Sequence, residues 1–482
     1  MRGNLFKTVT RGGNDARMST ASKTVAARLP DIVGPAHAIT DPAQLGVYAV
    51  DGIKPAAAVR PGSAEEVAEV VKYAAARNLG VIATSARTKL GMGMTPRRYD
   101  LAIDMTRLDR IVAYDPRDLT LSVEPGLLLR DLNTALEEHR QFLPMRMPYT
   151  NRASVGGTIA SGVDTPMRQF YGTPRDYVLG MHFVTGEGAR GKSGGLVVKN
   201  VTGYDLHKLM IGSLGSLGII TRINFRTFPT PAVSRGFVAT FESTEGAIAL
   251  RNQIAQSPLT PLTLEVLSPR VAEVFASSAA ARIEPSVPPP QMLSPKHWTL
   301  AAAYTGNEKV LERYAADLGR MAKESGAVST AVLDDTTRPS VWGRLREFIP
   351  IALEASPATT IVKMGVLPSR MKEALAAAAR EGEAASLPWA AVARGLGIIY
   401  FALLPEDRSE TTLGRVAAAG NRILESGAKL DANAWIPWCP TELKSAPKVW
   451  GLECADFSEM QKVKKVFDPL GIMSPGRFMG GM

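Results

Sequence analysis

Between residues 154 and 221 the chain repeatedly gives up side-chain bulk. Ser154-Val155-Gly156-Gly157-Thr158-Ile159-Ala160-Ser161-Gly162 leads through Tyr171-Gly172-Thr173-Pro174-Arg175-Asp176-Tyr177-Val178-Leu179-Gly180 to two further stretches, Val198 to Leu206 and Ile211 to Thr221. Glycine lets backbone amides approach a bulky planar or phosphorylated ligand closely, so such stretches present main chain as a binding surface. Each stretch taken alone fits plain close packing equally well.

The chain around them is long and ordinary. At 482 residues it holds roughly three domains' worth of sequence, enough to bury a large core without disulfides or metal staples. Hydrophobic residues at 45% and charged residues at 21% exclude a disordered chain and a membrane bundle. No apolar stretch reaches the roughly 18 residues of a spanning helix. The net charge of +10 favours anionic partners, but no run of five or six basic residues and no basic stripe interleaved with aromatics points to nucleic acid. Cys439 and Cys454 are the only cysteines, too few for a disulfide framework, an iron-sulfur cluster or a four-thiolate zinc site, and they indicate a reducing compartment. His37, His139, His182, His207 and His297 show no metal-ligand spacing, so no metal site is expected.

Four segments emerge along the chain. Residues 1–50 read as a basic, poorly ordered N-terminal extension. Its first thirty residues carry Arg2, Lys7, Arg11, Arg17, Lys23 and Arg28 against Asp15, a balance shared by organelle transit peptides and by bacterial extensions, with Met18 as an alternative start. Residues 51–230 form a first domain. Ser63-Ala64-Glu65-Glu66 is a capping box opening a helix whose apolar face is Val67, Val70, Val71 and Ala74, with Gly80 as its stop. Strands are expected at Val81 to Thr84, Asp100 to Met105, Ile111 to Tyr114, Leu119 to Val123, Val178 to Thr185 and Gly218 to Phe225, with one helix from Leu127 to about His139. That order predicts an α+β domain with a largely antiparallel sheet and no run of βα units. Residues 231–440, where alanine-rich helices alternate with apolar strands, form a second domain, and 441–482 is a turn-rich segment returning to the first.

Gly186-Glu187-Gly188-Ala189-Arg190-Gly191-Lys192-Ser193 satisfies both GxxxxGK[ST] and GxGxxG. Both patterns need a following helix whose N-terminus meets phosphate, and here Gly194-Gly195 and a β-like Leu196-Val197-Val198 follow instead. The segment therefore reads as a hairpin.

Taken together, in this order and spacing, the small-residue stretches resemble the flavin domain of the p-cresol methylhydroxylase and vanillyl-alcohol oxidase superfamily. The likeness is specifically to the FAD-binding E subunit of bacterial glycolate oxidase. It runs from about Lys54 to Phe228 and resumes at Phe467-Asp468-Pro469 and Ser474-Pro475-Gly476-Arg477-Phe478. Val341 to Glu347 and Val362 to Pro368 match as cap landmarks. The resemblance implies an α+β fold: a two-lobed p-cresol methylhydroxylase-type FAD-binding domain with a mixed α+β cap over the isoalloxazine ring. It places Ser85, Ala86, Arg87, Thr88, Lys89 and Leu90 on the pyrophosphate. Ser154, Val155, Gly156, Gly157, Ile159, Ser161 and Gly162 fall along the flavin and ribityl chain, Asp176 at a turn beside the cofactor, and Gly218, Ile219 and Ile220 on its bordering strand.

One departure matters. Relatives carry glycines where this loop has Ser85, Ala86 and Arg87, and glycine is the residue that tolerates positive φ close to phosphate. The change implies either weaker FAD binding or a contact supplied by the Arg87 charge. The loop also lacks His or Cys, so the FAD is expected to be non-covalent. Oxidising a 2-hydroxy acid needs a base, a cation for the carboxylate and the flavin to converge. No catalytic residue is singled out. Arg344 and Arg346 fit a carboxylate or a solvated helix face. The resemblance implies a cytoplasmic FAD subunit, with at most peripheral contact at the inner membrane. Turnover of a small 2-hydroxy acid would fall mainly on a homologous FAD-binding catalytic subunit, and electrons would leave through an iron-sulfur subunit. A self-sufficient FAD-dependent oxidoreductase and a structural subunit with a degenerate flavin site are the alternatives.

Overall fold

The computed structural model describes residues 25–197, 203–444, 448–452 and 454–482. Residues 1–24, most of the basic tail, and Val198 to Thr202, part of the third small-residue stretch, lie outside them. The chain forms two lobes and a cap.

The first lobe is a four-stranded sheet of β1 (Ala38–Ile39), β2 (Ala57–Val59), β3 (Val81–Thr84) and β4 (Leu101–Asp104), in the order β1-β2-β4-β3. Helix α1 (Leu29–Val33) and α2 (Ala64–Ala76) cover it. The extension expected through residue 50 is thus corrected in its second half. Leu29 and Val33 are buried, β1 pairs with β2, and Tyr48 donates a 2.8 Å hydrogen bond to Asp104. The largely antiparallel sheet expected for this domain does not extend to this lobe, where β2-α2-β3 is a single βα unit and both of its strands run parallel to β4. A two-residue-period reading of such short strands carries no direction, which is why the pairing was not visible. Helix α2 forms as its sequence dictates. Ser63 accepts the Glu66 amide at 3.1 Å, Glu66 reaches back to the Gly62 amide at 2.7 Å, and Val67, Val70, Val71 and Ala74 are fully buried. Its left-handed exit falls on Asn78 (φ 53°), not on Gly80.

The second lobe is a five-stranded antiparallel sheet ordered β5-β6-β9-β7-β8: β5 (Ile111–Asp115), β6 (Thr120–Val123), β7 (Val178–Val184), β8 (Arg190–Gly194) and β9 (Ile219–Arg226). Helices α3 (Leu129–Glu137) and α4 (Val155–Ser161) pack on it. β7 and β8 form a hairpin with Gly188 at φ 78° in its turn, but its second arm is Arg190–Gly194, within the glycine motif, and Leu196 and Val197, expected as the β-like run, are not in a strand.

The cap is an eight-stranded, wholly antiparallel sheet ordered β13-β10-β12-β11-β15-β16-β14-β17. Its strands are β10 (Ser234–Phe241), β11 (Thr263–Leu267), β12 (Trp298–Thr305), β13 (Ser329–Leu333), β14 (Thr360–Gly365), β15 (Trp389–Arg394), β16 (Ile398–Leu403) and β17 (Asn433–Trp438). Four long helices, α5 (Thr244–Gln256), α7 (Glu308–Glu324), α10 (Met371–Ala384) and α11 (Glu410–Ala428), bury one face. Shorter helices α6 (Arg270–Ala276), α8 (Arg338–Arg346) and α9 (Phe348–Ala355) cover the other, where Met92, Val163 and Leu214 of the flavin-side lobes join the same core. This second face is where cap and lobes meet.

After α12 (Phe457–Phe467) the chain returns to the first lobe as expected. The Ile472 carbonyl accepts the Val81 amide at 2.8 Å, and the Ser474 amide donates to the Val81 carbonyl at 2.8 Å, extending the sheet beyond β3. Among the described residues, no helix is long and apolar enough to cross a membrane.

Candidate functional site

A groove of about 810 Å³, partly open to solvent, runs between the two lobes. Its walls are the end of β3, the loop Ser85–Leu90, the first turns of α4, the start of β9 and Arg477 from the C-terminal segment.

Helix α4 divides the small-residue stretch by function. Ser154 caps it, accepting the Gly157 amide at 3.3 Å. A Cβ on Gly156 would stand 2.4 Å from Pro125 Cβ, so the first turn seats directly against Pro125. Ser154, Gly156, Gly157, Ala160 and Ser161 line the groove, while Val155 and Ile159 point away and are fully buried in the core of the second lobe. Gly162 ends the helix at φ 61° with its Cα face against Gly212. Across the groove, Gly218, Ile219 and Ile220 form the bordering wall, and a Cβ on Gly218 would lie 2.6 Å from the Val184 carbonyl. Asp176 stands apart. It is exposed and closes a capping box, accepting the Thr173 amide at 2.6 Å and its hydroxyl at 3.0 Å.

All six residues of the loop Ser85 to Leu90 line the groove. Arg87 adopts φ 59°, the left-handed conformation that glycine would take at no steric cost. Its guanidinium turns to Asp104 at 3.2 Å and lies 5.3 Å from the Tyr48 ring centroid, so its charge is already committed. Thr84 Oγ1 and Ser85 Oγ are buried without a hydrogen-bond partner. Unpaired buried hydroxyls are costly, and here they border a groove with a backbone-lined wall. These residues suit the polar chain of a dinucleotide. Lys89 is buried beside them. Burial pushes its pKa down to about 8 against the opposing pull of Glu347, and its ammonium lies 5.8 Å from the Tyr149 ring centroid.

The junction face of the cap carries a second group of residues. Strands alternate sides every residue. Val362, Met364, Phe401, Ala393 and Val266 therefore enter the helix-covered core, while Lys363, Tyr400, Arg394 and Glu265 share the opposite face. Register brings them together: Lys363 lies opposite Tyr400, and Glu265 opposite Arg394. Asp164, three residues beyond α4, enters their midst. It accepts the Tyr400 hydroxyl at 2.8 Å and faces Arg394 at 3.1 Å, Arg168 at 3.3 Å and Lys363 at 3.8 Å. Burial would raise the Asp164 pKa, but Arg394, Lys363, Tyr400 and Arg168 together hold it below the usual carboxylate range. Glu265 is wholly buried, and its only close cation is Arg394 at 3.6 Å. Burial pushes its pKa up to about 7, Arg394 opposing and Asp164 adding to the rise. Three cations thus face one firmly ionised carboxylate and one that is near neutrality.

Sequence reasoning missed Asp164, Glu265, Arg394 and Tyr400. The available signal was a charged residue within an apolar strand, as at Lys363 in Thr-Ile-Val-Lys-Met-Gly. Arg344 and Arg346 do not lie on a solvated helix face. Arg344 is buried and donates to the Val287 carbonyl, and Arg346 pairs with Glu284 and with Glu347 at 3.1 Å.

Comparison with known proteins agrees with this division. Residues 55–192 match the family described as FAD binding domain, and residues 230–400 and 453–478 match the C-terminal domain of the FAD linked oxidases. The chain is an FAD-binding domain joined to an FAD-linked oxidase C-terminal domain. It is accordingly an FAD-dependent oxidoreductase, with FAD as cofactor. The glycolate oxidase subunit GlcD of Bacillus subtilis (strain 168) is 24% identical over 95% of this chain and 97% of its own length. The D-2-hydroxyglutarate dehydrogenase of Stutzerimonas stutzeri (strain A1501) is 24% identical over 93% and 97%. The glycolate oxidase subunit GlcE of Escherichia coli (strain K12) is 39% identical, but over 33% of this chain and 44% of its own. Substrate-bound p-cresol methylhydroxylase shares the fold with a TM-score of 0.76 at 19% identity, covering 95% of this chain and 96% of that one.

Proposed function

We propose that the chain is the FAD-binding subunit of a glycolate oxidase-like complex that oxidises a small 2-hydroxy acid at the junction of lobes and cap and passes the electrons to an iron-sulfur partner. The excess of cations over carboxylates on the junction face of the cap, with Lys363 and Arg394 largely buried and Arg168 partly exposed, carries this reading. Lys363 and Arg168, the cations that Asp164 holds least closely apart from solvent, are positioned to take the carboxylate of the acid. Asp164 and Tyr400 fix that face, and because burial keeps Glu265 partly protonated near pH 7, the three cations outnumber the negative charge beside them. When bound, FAD supplies the two-electron acceptor. The loop Ser85 to Leu90, Ser154 to Gly157, Ser161 and Gly218 to Ile220 hold it. Val155, Ile159 and Gly162 act by seating α4, and Asp176 by shaping the turn before β7. With the acid bound on its own cap, the chain does not depend on a homologous catalytic subunit for oxidation, although such a subunit remains the expected neighbour. A cytoplasmic site with peripheral membrane contact fits the absence of a spanning helix among the described residues.

A self-sufficient oxidoreductase is the second reading, favoured by the near-full-length match to GlcD. Anaerobic titration of the purified flavoprotein with glycolate, D-lactate and D-2-hydroxyglutarate, followed by flavin absorbance, tests both. Bleaching by one of these acids is expected, and bleaching by none overturns the substrate class. Reoxidation that requires an iron-sulfur subunit supports the complex. Rapid reoxidation of the isolated chain by an added quinone or dioxygen supports the second reading.

A further inference from the structure

A larger cavity, about 1240 Å³ and open on one side, lies at the junction of lobe, linker and cap. Its walls are mostly apolar: Phe142 and Met167 from the second lobe, Pro231 from the linker, and Leu262, Val287 and Trp342 from the cap. The Trp342 indole donates to Thr263 Oγ1 at 2.7 Å and packs where Gly236 leaves room, since a Cβ there would lie 2.7 Å from the ring. Three guanidiniums, Arg146, Arg338 and Arg346, line the same space against one carboxylate, Asp335.

Their partners differ. Arg346 is neutralised by Glu284 and Glu347, and Arg338 by Asp335 at 3.4 Å. Arg146 makes no hydrogen bond or ion pair among the described residues. It is accessible to solvent yet stands within the cavity. Loss of surrounding water lowers its pKa, Arg346 pushes the same way, Glu137 opposes, and Arg338 adds a smaller push downward. A solvent-accessible guanidinium held beside two others, without a carboxylate of its own among the described residues, keeps a repulsion that a bound anion relieves.

We propose that this cavity binds an organic monocarboxylate with an apolar, aryl or branched-alkyl body, the carboxylate on Arg146 and the body against Trp342, Phe142 and Met167. One free cation matches one negative charge, which selects a carboxylate over a phosphate dianion. The apolar walls select a body that small hydrophilic acids lack. The site is independent of the flavin groove and of the oxidation proposed above.

Calorimetry on the purified holoprotein tests it with 3-phenylpropionate, its uncharged analogue 3-phenylpropanol, acetate and phenyl phosphate. Phenylpropionate is expected to bind at least tenfold more tightly than the other three. Arg146→Gln, at a side chain that supports no other contact, is expected to keep the melting temperature and flavin content and to lose about tenfold or more in affinity for phenylpropionate. Absence of phenylpropionate binding, equal binding of phenylpropanol, preference for phenyl phosphate, or unchanged affinity in Arg146→Gln would each overturn the proposal. Because the readout is heat of binding, failure here leaves the flavin titration with 2-hydroxy acids unaffected, and the reverse also holds.

Discussion

At the level of single residues, Arg87 shows what a loop does when glycine is replaced but its backbone shape is kept. The residue holds φ 59° and balances that strain with an ion pair to Asp104 and a contact with the Tyr48 ring. Asp104 keeps other partners, the Tyr48 hydroxyl and the Thr106 amide, so it is not orphaned when Arg87 is shortened. Arg87→Ala should therefore be less stable than Arg87→Gly by about 1 kcal/mol, since both lose the charge and only alanine retains the left-handed penalty. Urea denaturation of the two variants checks the order. Glu265 gives a pH signature. Its pKa rises from an ordinary 4.5 to about 7 on folding, so the folded state binds the extra proton between those values. The stabilisation is complete below about pH 4.5 and disappears as pH rises through about 7. Glu265→Gln, which stays neutral, should narrow the fall in melting temperature between pH 5 and pH 8, and an unchanged fall would contradict this account.

At the level of elements, α4 turns a side that is nearly all backbone toward the groove, the feature on which its proposed role as a cofactor wall rests. Gly156→Ala would force Cβ to within 2.4 Å of Pro125 Cβ and 2.9 Å of its carbonyl, lifting the helix from its seat. Overpacking of this kind costs about 1 to 3 kcal/mol. The variant is expected to fold and to purify with sub-stoichiometric FAD, which absorbance after denaturation measures. Much of this was legible in the sequence. The capping box and apolar face of α2, the hairpin turn after β7 and the order of the second-lobe strands all follow from local pattern, and the structure has them where that pattern puts them. The parallel pairing of β2 and β3 with β4 was not, because a strand of three or four buried residues has the same alternation whichever way its neighbour runs. The charged face of the cap was hidden for a different reason. Glu265, Lys363, Arg394 and Tyr400 lie on four strands, and only the register of the sheet and the arrival of Asp164 from another domain make them one cluster.

At the level of the whole molecule, Asp164 links the lobes to the cap. It faces Arg168, Lys363 and Arg394 at once, and Lys363 and Arg394, unlike the partly exposed Arg168, lie where water screens them little. Asp164→Asn keeps the shape and removes the charge, leaving buried cations in excess. A loss of about 3 to 5 kcal/mol in urea unfolding is expected, with proteolysis first appearing between the two domains. The C-terminal segment joins the molecule in another way. Arg477 donates to the carbonyls of Leu90 and Met92, and Ser474 and Ile472 extend the sheet at Val81, so the groove loop Ser85 to Leu90 is braced by residues almost four hundred positions further along the chain. During synthesis the first lobe leaves the ribosome hundreds of residues before its brace does. A nascent chain can thus fold α2 and its sheet early, but it acquires a finished groove only once residues 472–477 have emerged. A chain ended after Leu470 should accumulate without flavin, and incomplete products would then carry no oxidising centre into the cell.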